Sequence, residues 1–580
     1  MSGEKPRLEP ASNGQHVFYL HRRLYSPRDP RGGAVRRAQA AGTVRPQTLV
    51  IVPSPLLGYG LEELLQNCPA DAVVLAVELD PQLAELTRSA AVSSELSGDP
   101  RLIWMLAPGD KDLDALLPRI LAKRPRRTQL VALSGGFGLR ASQYRHLVQR
   151  FEDEIRIFWQ NAMTRVRMGR LWIRNLFRNL ALLPGSVPLQ ALATDLPTVV
   201  VAAGPSLDDH IHQLSSLYGE KRRHLRIISV DTAVPALSAH NIRPDIVVAV
   251  ESQQANAADF LADLPAIPHL ICDLTAYPGT TRTFARHQLL SFVSSRFAPS
   301  ALLDRLRERN VLPEGVPPLG SVGVLAVYLA RRLTSGPVYF TGLDFTYDLE
   351  RTHARGAPMH TLSLIRRNRL DPSPFFGMAL NRPLVTPADK SGRKTRSDTV
   401  LLSYAEQLRE VVRTTTGVYD LSPESGLPNG APPATRIRTD KGHSSPAAAP
   451  ATQEAAIADP AAAPATQEAA QADRAAPGAA STKDGVGSAR EVHEILDAEV
   501  LRLGELVTEL RAALHRAGTA PGVSGEDYET VLPQLESCDY VYLDFPDPPS
   551  HSRAFLGRVL LSALSYQQKL DDIRTLLSRL

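Results

Sequence analysis

Short runs of apolar, mostly β-branched residues recur through the middle of this 580-residue chain, and no other feature constrains its fold as strongly. Helical patterns lie between several of the runs. Apolar strands that alternate with helices are typical of a parallel sheet buried on both faces. The sequence therefore predicts a doubly wound α/β domain over residues 196–430. The predicted strands are 198–203, 226–231, 246–251, 269–274, 289–294, 337–342 and 417–422.

A second, smaller α/β pattern precedes this domain. It has a strand at Thr48–Val52, a helix from near Gly60, a strand ending in Glu78 and Asp80, and a strand at 129–136. This order is that of a Rossmann-like nucleotide-binding unit. The turn after the first strand is poorer in glycine than the usual fingerprint. Two interpretations stay open: a working cofactor site, or a scaffold that kept the topology.

Residues 140–185 carry apolar side chains at steps of three and four, which predicts a long helix. Asn175 and Asn179 lie four residues apart on it. Such a pair is either functional or, more commonly, part of an exposed polar face.

The sequence changes character after about residue 430. The segment PAAAPATQEAA occurs identically at 446–456 and 460–470. A stretch rich in Ala, Pro, Thr and Gln has little to bury, so we predict a disordered linker over 431–487.

The last part of the chain, 488–580, is predicted to be a helical module. Its apolar residues alternate steps of four and three, which indicates one face of a helical hairpin or bundle. We expect it to bind a partner or to self-associate. The seam consists of Leu496, Val500, Leu503, Val507, Leu510 and Leu514.

These patterns give the expected organisation of the chain, an α/β protein with two Rossmann-like doubly wound domains. Its segments are an N-terminal extension (1–45), a Rossmann-like domain (46–140), a helical connector (141–195), a core (196–430), a linker (431–487) and a helical module (488–580).

Composition limits the function classes. Net charge is +4, from 65 basic and 61 acidic residues, so no nucleic-acid or membrane surface is expected. Cys68, Cys272 and Cys538 have neither zinc-site spacing nor the pattern of a disulfide framework, which favours a reducing compartment. No run approaches the roughly 18 apolar residues of a membrane span. We therefore expect a cytoplasmic protein.

The loop Gly204-Pro205-Ser206 follows the first strand of the core. Glycine permits close backbone approach, proline stiffens the loop, and serine caps the next helix or meets an anion. The loop is either a phosphate cradle or a plain strand-to-helix turn.

Three carboxylates stand at predicted strand ends: Asp231, Glu251 and Asp344. The carboxyl ends of parallel strands meet at one crevice, where such groups hold ribose hydroxyls, a base amine or a divalent metal. Together with the Gly204 loop they predict a ligand cleft. No metal ligands are assigned.

The segment at 318–333 begins Pro-Leu-Gly-Ser-Val-Gly and continues as a helix. The amides around Ser321 and Gly323 form either a second anion site or an ordinary capped helix. His353 and His360 follow the predicted strand at 337–342 and are candidate bases at neutral pH, since histidine titrates there. Each is otherwise an ordinary surface histidine.

Several segments resemble one known family when taken in order. These are VVVAAGPSLDD, IISVDTAVPALSAHNIRPDIVVAVES, PLGSVGVLAVYLARR, YFTGLDFTYD and VYDLSPESGLPNGA. They follow one another as in the motility-associated factor (Maf) glycosyltransferases, which modify flagellin. The core of those proteins is similar to archaeal 6-hydroxymethylpterin diphosphokinase (MptE-like). The resemblance extends over roughly residues 15–430.

The core also resembles bacterial sialyltransferases that use CMP-activated sialic acid, which implies a GT-A-like or sialyltransferase-like catalytic domain. Two departures stand out. Ala203 replaces an asparagine of their nucleotide loop, and Arg393 or its neighbours stand where their catalytic histidine is expected. An arginine stays protonated and is no base. The base is then His353, His360 or a carboxylate.

The resemblance implies a glycosyltransferase that moves a nonulosonic, sialic acid-like sugar from a CMP donor to Ser or Thr of flagellin. Asp344, His353 and His360 are the expected catalytic residues. An ATP- and magnesium-dependent pterin pyrophosphokinase and a non-catalytic flagellin-binding protein are the alternatives. The residues expected to contact nucleotide or donor are Gly204, Pro205, Ser206, Asp231, Glu251, Ser321, Gly323 and Gly342.

Overall fold

A computed structural model describes residues 5–92, 98–254, 269–286, 289–295, 300–347, 351–370, 384–422, 424, 426–434, 437 and 488–577. The described chain divides into two compact units, the first extending to Thr164 and the second beginning at Arg165. Apart from 431–434 and 437, the predicted linker lies outside the described residues. None of the helices described is both long and apolar enough to cross a membrane.

The first unit contains two sheets and several helices. Its strands are β1 (Arg7–Ala11), β2 (Gly14–Tyr19), β3 (Arg22–Arg23), β4 (Thr48–Pro53), β5 (Val73–Glu78), β6 (Leu102–Leu106) and β7 (Arg127–Leu130). Its helices are α1 (Pro30–Ala40), α2 (Leu61–Gln66), α3 (Pro81–Thr87), α4 (Asp110–Ala122) and α5 (Ala141–Leu180), the last of which continues into the second unit.

The larger sheet of this unit has the order β6-β5-β4-β7, with every pair parallel. The prediction of a Rossmann-like sheet is therefore confirmed. Strand β6 was not predicted, because its sequence Leu-Ile-Trp-Met-Leu has a single β-branched residue.

The second unit is built on an eight-stranded sheet. Its strands are β8 (Thr198–Val201), β9 (Arg226–Val230), β10 (Ile246–Ala249), β11 (Leu270–Asp273), β12 (Leu290–Ser295), β13 (Gly315–Val316), β14 (Val338–Thr341) and, after the antiparallel pair β15 (Leu384–Val385) and β16 (Ser397–Asp398), β17 (Val418–Asp420). The order is β13-β12-β11-β10-β9-β8-β14-β17, all parallel. All seven predicted strands are present, and β13 adds a two-residue edge too short to show a pattern.

Helices cover this sheet and complete the unit. They are α6 (Leu207–Lys221), α7 (Val234–Ala239), α8 (Pro278–Ala285), α9 (Ala301–Glu308), α10 (Val322–Leu333), α11 (Pro358–Arg366), α12 (Thr399–Arg413), α13 (Ala489–Arg516), α14 (Gly525–Ser537) and α15 (Arg553–Leu577).

The predicted helical module is formed by α13, α14 and α15. Its apolar seam is buried: Leu496, Leu503 and Leu510 are fully inaccessible to solvent. They belong to one apolar cluster with Phe177 of α5 and Leu270 of β11. Side chains of the same unit thus cover the apolar seam that was a candidate surface for binding a partner.

A buried ion pair joins the helical module to the sheet domain. Glu499 of α13 is 1% exposed and accepts hydrogen bonds from Arg305 of α9 at 3.0 and 2.9 Å. Arg502 and the hydroxyl of Tyr540 also donate to this carboxylate, at 3.0 and 3.2 Å. Asp539 adds a second link, since its Oδ2 accepts the Ala301 N–H at the start of α9.

Removing the buried carboxylate of Glu499 leaves the partly buried Arg305 with only the Ser537 carbonyl as a hydrogen-bond partner among the described residues. We expect Glu499→Ala to lower the free energy of unfolding by about 3–5 kcal/mol, since breaking one side of a buried pair is costly. Denaturant unfolding followed by circular dichroism measures this. Glu505→Ala, at an exposed position of the same helix, is the control. Equal losses in the two variants would contradict the role assigned to the pair.

Candidate active site

The loops that follow β8 and β14 are joined by backbone hydrogen bonds. The Gly204 N–H donates to the Gly342 carbonyl at 2.8 Å, and the Ala202 N–H to the Thr341 carbonyl at 3.0 Å. In return, the Gly342 N–H donates to Ser206 Oγ at 3.2 Å. These bonds bring the Gly-Pro-Ser loop and the Gly-Leu-Asp loop together, as the sequence predicted for residues at one sheet edge.

Both glycines are required by the closeness of the two loops. A Cβ on Gly342 would lie 2.1 Å from the Ala202 carbonyl oxygen, and its φ of +74° is in the left-handed region. A Cβ on Gly204 would lie 2.3 Å from Asp344 Oδ2 and 2.5 Å from the Gly342 carbonyl oxygen. Any larger residue would push the loops apart.

Asp344 lies beneath the Gly-Pro-Ser loop. It is 4% exposed, and its Oδ2 accepts the Ser206 N–H at 2.9 Å. Burial raises the pKa of Asp344, while hydrogen bonds from Ser206 and the charge of Lys390 oppose that rise. The predicted catalytic carboxylate is thus placed where it fixes the loop.

This hydrogen bonding contradicts one prediction. The amides of Gly204 and Ser206 were expected to hold a phosphate, but both donate inside the protein, and Pro205 has no N–H. Ser206 is itself only 3% exposed. Gly204 and Pro205 remain at the surface of the loop, so they can contact a ligand by shape but not through those amides.

Residues that the sequence reasoning did not assign support this loop from below. The Ser422 hydroxyl donates to Ser206 Oγ at 3.1 Å. Its N–H donates to Asp420, which also accepts from Asn429 at 2.8 Å and pairs with Lys390. Three of them lie in the segment VYDLSPESGLPNGA, but polar residues in a loop do not reveal that one of them contacts Ser206, more than 200 positions away.

The start of α10 lies against the same two loops. A Cβ on Gly323 would be 2.4 Å from Leu343 and 3.6 Å from Ala202 Cβ. The first α-helical hydrogen bond runs from the Leu325 N–H to the Ser321 carbonyl, and the Ser321 side chain makes no capping bond. The N–H groups of the first turn therefore point out of the helix end, the usual arrangement of an anion site.

Asp231 and Glu251 follow β9 and β10 on the same edge. The Asp231 carboxylate accepts the Thr232 N–H at 2.8 Å and is 4% exposed. Glu251 is half-buried and accepts the Ser252 N–H at 3.0 Å. Within the described residues, no group of three or more His, Cys, Asp or Glu side chains is arranged to hold a metal ion.

The two candidate histidines lie beside the Gly-Pro-Ser loop. The Ala354 N–H donates to the Ala203 carbonyl at 2.9 Å, so Ala203, at the position of the sialyltransferase asparagine, contacts the histidine segment through its backbone. His353 Nδ1 is 3.0 Å from Thr352 Oγ1.

Charge and burial keep both rings neutral. Burial lowers the pKa of His353, and His360 lowers it further. Burial also lowers the pKa of His360. The negative charge of Asp208 opposes this decrease, and the positive charges of Arg355 and Arg351 increase it. Arg351 pairs with Asp208 at the start of α6.

Arg393 is largely exposed and pairs with a carboxylate of its own loop. Its side chain is 72% exposed, and its Nε is 3.3 Å from Asp389 Oδ2. It supplies a surface ion pair of the kind that contributes little to stability.

Asn175 and Asn179 are not the exposed pair that their spacing indicated. Both are fully buried. Asn175 donates to the Ser252 and Thr275 carbonyls at 3.0 and 2.9 Å, and Asn179 to the Leu274 and Ala276 carbonyls at 2.8 and 2.9 Å. Helix α5 therefore fixes the loops that follow β10 and β11.

The nucleotide fingerprint region of the first unit is internally bonded. Ser54 Oγ donates to Glu78 Oε2 at 2.6 Å, and the Tyr144 hydroxyl donates to Oε1 at 3.1 Å. Glu78 is 1% exposed, and burial raises its pKa. The acid expected to bind a ribose is thus bonded to its own chain, which favours the scaffold interpretation.

Comparison with known proteins agrees with this architecture. Residues 172–350 match the family described as 6-hydroxymethylpterin diphosphokinase MptE-like. An uncharacterized protein of Treponema pallidum (strain Nichols) is 31% identical over 433 residues, which cover 72% of each chain. The solved structure of a Maf glycosyltransferase from Magnetospirillum magneticum AMB-1 has a TM-score of 0.54 at 15% identity, covering 100% of this chain and 91% of that one. The chain belongs to the same family as the Treponema pallidum protein, its residues 172–350 match the MptE-like family, and its fold is similar to that of the Maf glycosyltransferase structure.

The closely packed loops make a test with a matched control possible. Gly342 and Gly417 both have a left-handed φ, but a Cβ on Gly417 would meet nothing within 4 Å. We expect Gly417→Ala to cost about 1 kcal/mol from strain alone. Gly342→Ala should cost at least about 3 kcal/mol, because a backbone carbonyl must also move. Denaturant unfolding of both variants measures the difference, and similar costs would mean that the loops are not held together as described.

Proposed function

We propose that this protein is a glycosyltransferase that moves a nonulosonic sugar from a CMP-activated donor to Ser or Thr of flagellin. One observation carries the proposal: two glycine loops and an open helix start meet at one edge of a parallel sheet, and the segment that carries His353 and His360 is hydrogen-bonded to Ala203 beside them. Ligands bind at this edge in open α/β sheets. The fold likeness to a Maf glycosyltransferase and the MptE-like match support a transferase of this type.

The CMP phosphate would bind at the start of α10. The first-turn amides after Ser321 supply donors, and the positive end of the helix dipole favours an anion. Gly204, Gly342 and Gly323 let the two loops and the start of α10 pack closely, which holds this anion site beside the Gly-Pro-Ser loop. Asp344 is then a positioning residue, because it acts through the Ser206 N–H.

The reaction breaks the bond between the anomeric carbon and the CMP oxygen. The bond to the acceptor hydroxyl oxygen forms, and the hydroxyl proton goes to a base. His353 or His360 serves as that base, since a neutral imidazole accepts a proton. Glu251 and Asp231, at the ends of β10 and β9, would stabilise the positive charge that develops on the sugar ring.

Incubation of the protein with flagellin and CMP-nonulosonates tests the proposal by intact-mass measurement. The expected result is a mass increase of flagellin by one sugar residue or more. A folded protein that transfers no sugar from any of the CMP-nonulosonates tested would contradict it. Magnesium-dependent transfer of pyrophosphate from ATP to a hydroxymethylpterin would instead establish the reaction for which the MptE-like family is named.

The lowered pKa of His353 predicts the pH dependence of transfer. An ordinary histidine has a pKa of about 6.5. Because the pKa here is lower, the ring stays neutral as the pH falls to that value, and the rate should decline only below it. We expect His353→Asn to reduce kcat by about 100-fold or more and to remove this decline.

His360→Asn, measured in parallel, shows which of the two rings accepts the proton. His224→Asn, at an exposed position, is the control and should keep the wild-type profile. If both His353→Asn and His360→Asn retained kcat, neither histidine would be the base.

A further inference from the structure

Helix α5 and two neighbouring helices carry a group of cations that the proposed reaction does not use. Three of them recur every four residues on α5, which places them on one face. Arg282 stands on α8, and Lys569 on α15. We call this group the cationic patch; it consists of Arg170, Arg174, Arg178, Arg282 and Lys569.

The described residues leave most of this positive charge unneutralised. Arg174, Arg178 and Arg282 form no ion pair with a carboxylate in the described chain, and the buried Nε of Arg174 has no hydrogen-bond partner there. Burial and the charges of Arg174 and Arg282 lower the pKa of Arg178. Burial and the charges of the three α5 arginines also lower the pKa of Lys569. The side chains repel one another, and a bound anion would relieve that repulsion.

The patch lies beside the edge of the sheet where the candidate active site is. Asn175, next to Arg174, is bonded to the loops after β10 and β11, and Arg282 follows β11 on α8. Strand β10 is two strands away from β8. At about 4.8 Å per strand, β10, whose following loop is bonded to Asn175, lies about 10 Å from β8, the strand that precedes the Gly-Pro-Ser loop.

We propose that the cationic patch binds an extended, acidic polypeptide segment. Successive arginines on α5 are four residues apart, about 6 Å along the helix axis. Alternate side chains of an extended chain are about 6.6 Å apart. Carboxylates two residues apart in an extended segment therefore match Arg174 and Arg178, the two α5 arginines of the patch that pair with no described carboxylate. On the proposed function, this segment belongs to the acceptor protein.

The borders of the patch favour a peptide over a nucleic acid. Asp544 accepts a hydrogen bond from Arg170 at 3.1 Å at one end, and the charge of Asp572 acts on Arg178 at the other. A continuous phosphate backbone would pass these carboxylates and be repelled. A short segment with a few carboxylates fits between them.

Fluorescence anisotropy with labelled peptides tests the proposal on the full-length protein. The probe is a peptide of alternating Asp and Ser, and the uncharged control is a peptide of alternating Asn and Ser. We expect the acidic peptide to bind, the neutral one not to bind, and rising salt to weaken binding. Arg178→Gln/Arg282→Gln, at two exposed positions, should weaken binding about tenfold or more.

Two further variants keep the result interpretable. The double variant Arg178→Lys/Arg282→Lys retains the charge and should keep most of the affinity for the acidic peptide. Arg490→Gln/Arg511→Gln removes the same charge from exposed positions of α13 and should bind like the wild type. Equal affinity of the Arg178→Gln/Arg282→Gln variant and the wild type would overturn the proposal. So would displacement of the peptide by a short RNA or by CMP at equal concentration. Because no turnover is measured, this outcome is independent of whether the protein transfers a sugar.

Discussion

The buried carboxylate of Asp344 is the contact on which the arrangement of the candidate site depends. It accepts the Ser206 N–H, and its Cα lies against Gly426. Three loops, after β8, β14 and β17, therefore meet at one side chain. Burying a carboxylate is costly unless hydrogen bonds satisfy it. The donors from the Gly-Pro-Ser loop meet that requirement, so the loop and the acid hold each other in place.

The strands could be predicted from the sequence, and the loop chemistry could not. A buried strand is a local signal, because four to six consecutive apolar residues suffice. All seven core strands were found in this way. The hydrogen bond of Ser206 to Asp344 joins residues 138 positions apart. The sequence placed both at one sheet edge, but it did not reveal that the amides of the loop are used by the protein itself.

Partners that are distant in the sequence also explain why Asn175 and Asn179 looked like an exposed pair. Two polar residues four apart on a helix look like a solvent-facing stripe, and only the fold supplies the four carbonyl oxygens that bury them. The seam of α13 is the opposite case. Its spacing showed that it had to be covered, but the covering residues, such as Phe177 and Leu270, come from segments more than 200 residues earlier. The spacing of apolar residues predicts that a helix face is buried, and the topology of the fold determines which residues cover it.

Helix α5 combines a structural and a surface role through its periodicity. Asn175 and Asn179 each follow an arginine of the cationic patch by one residue, so the two rows are about 100° apart around the helix axis. One row is bonded to the loops after β10 and β11, and the other is turned away from those bonds. The helix cannot shift along its axis without breaking four buried hydrogen bonds. On the proposed function, a ligand held by the arginines is therefore held at a fixed register from the sheet edge where the acceptor hydroxyl would meet the donor.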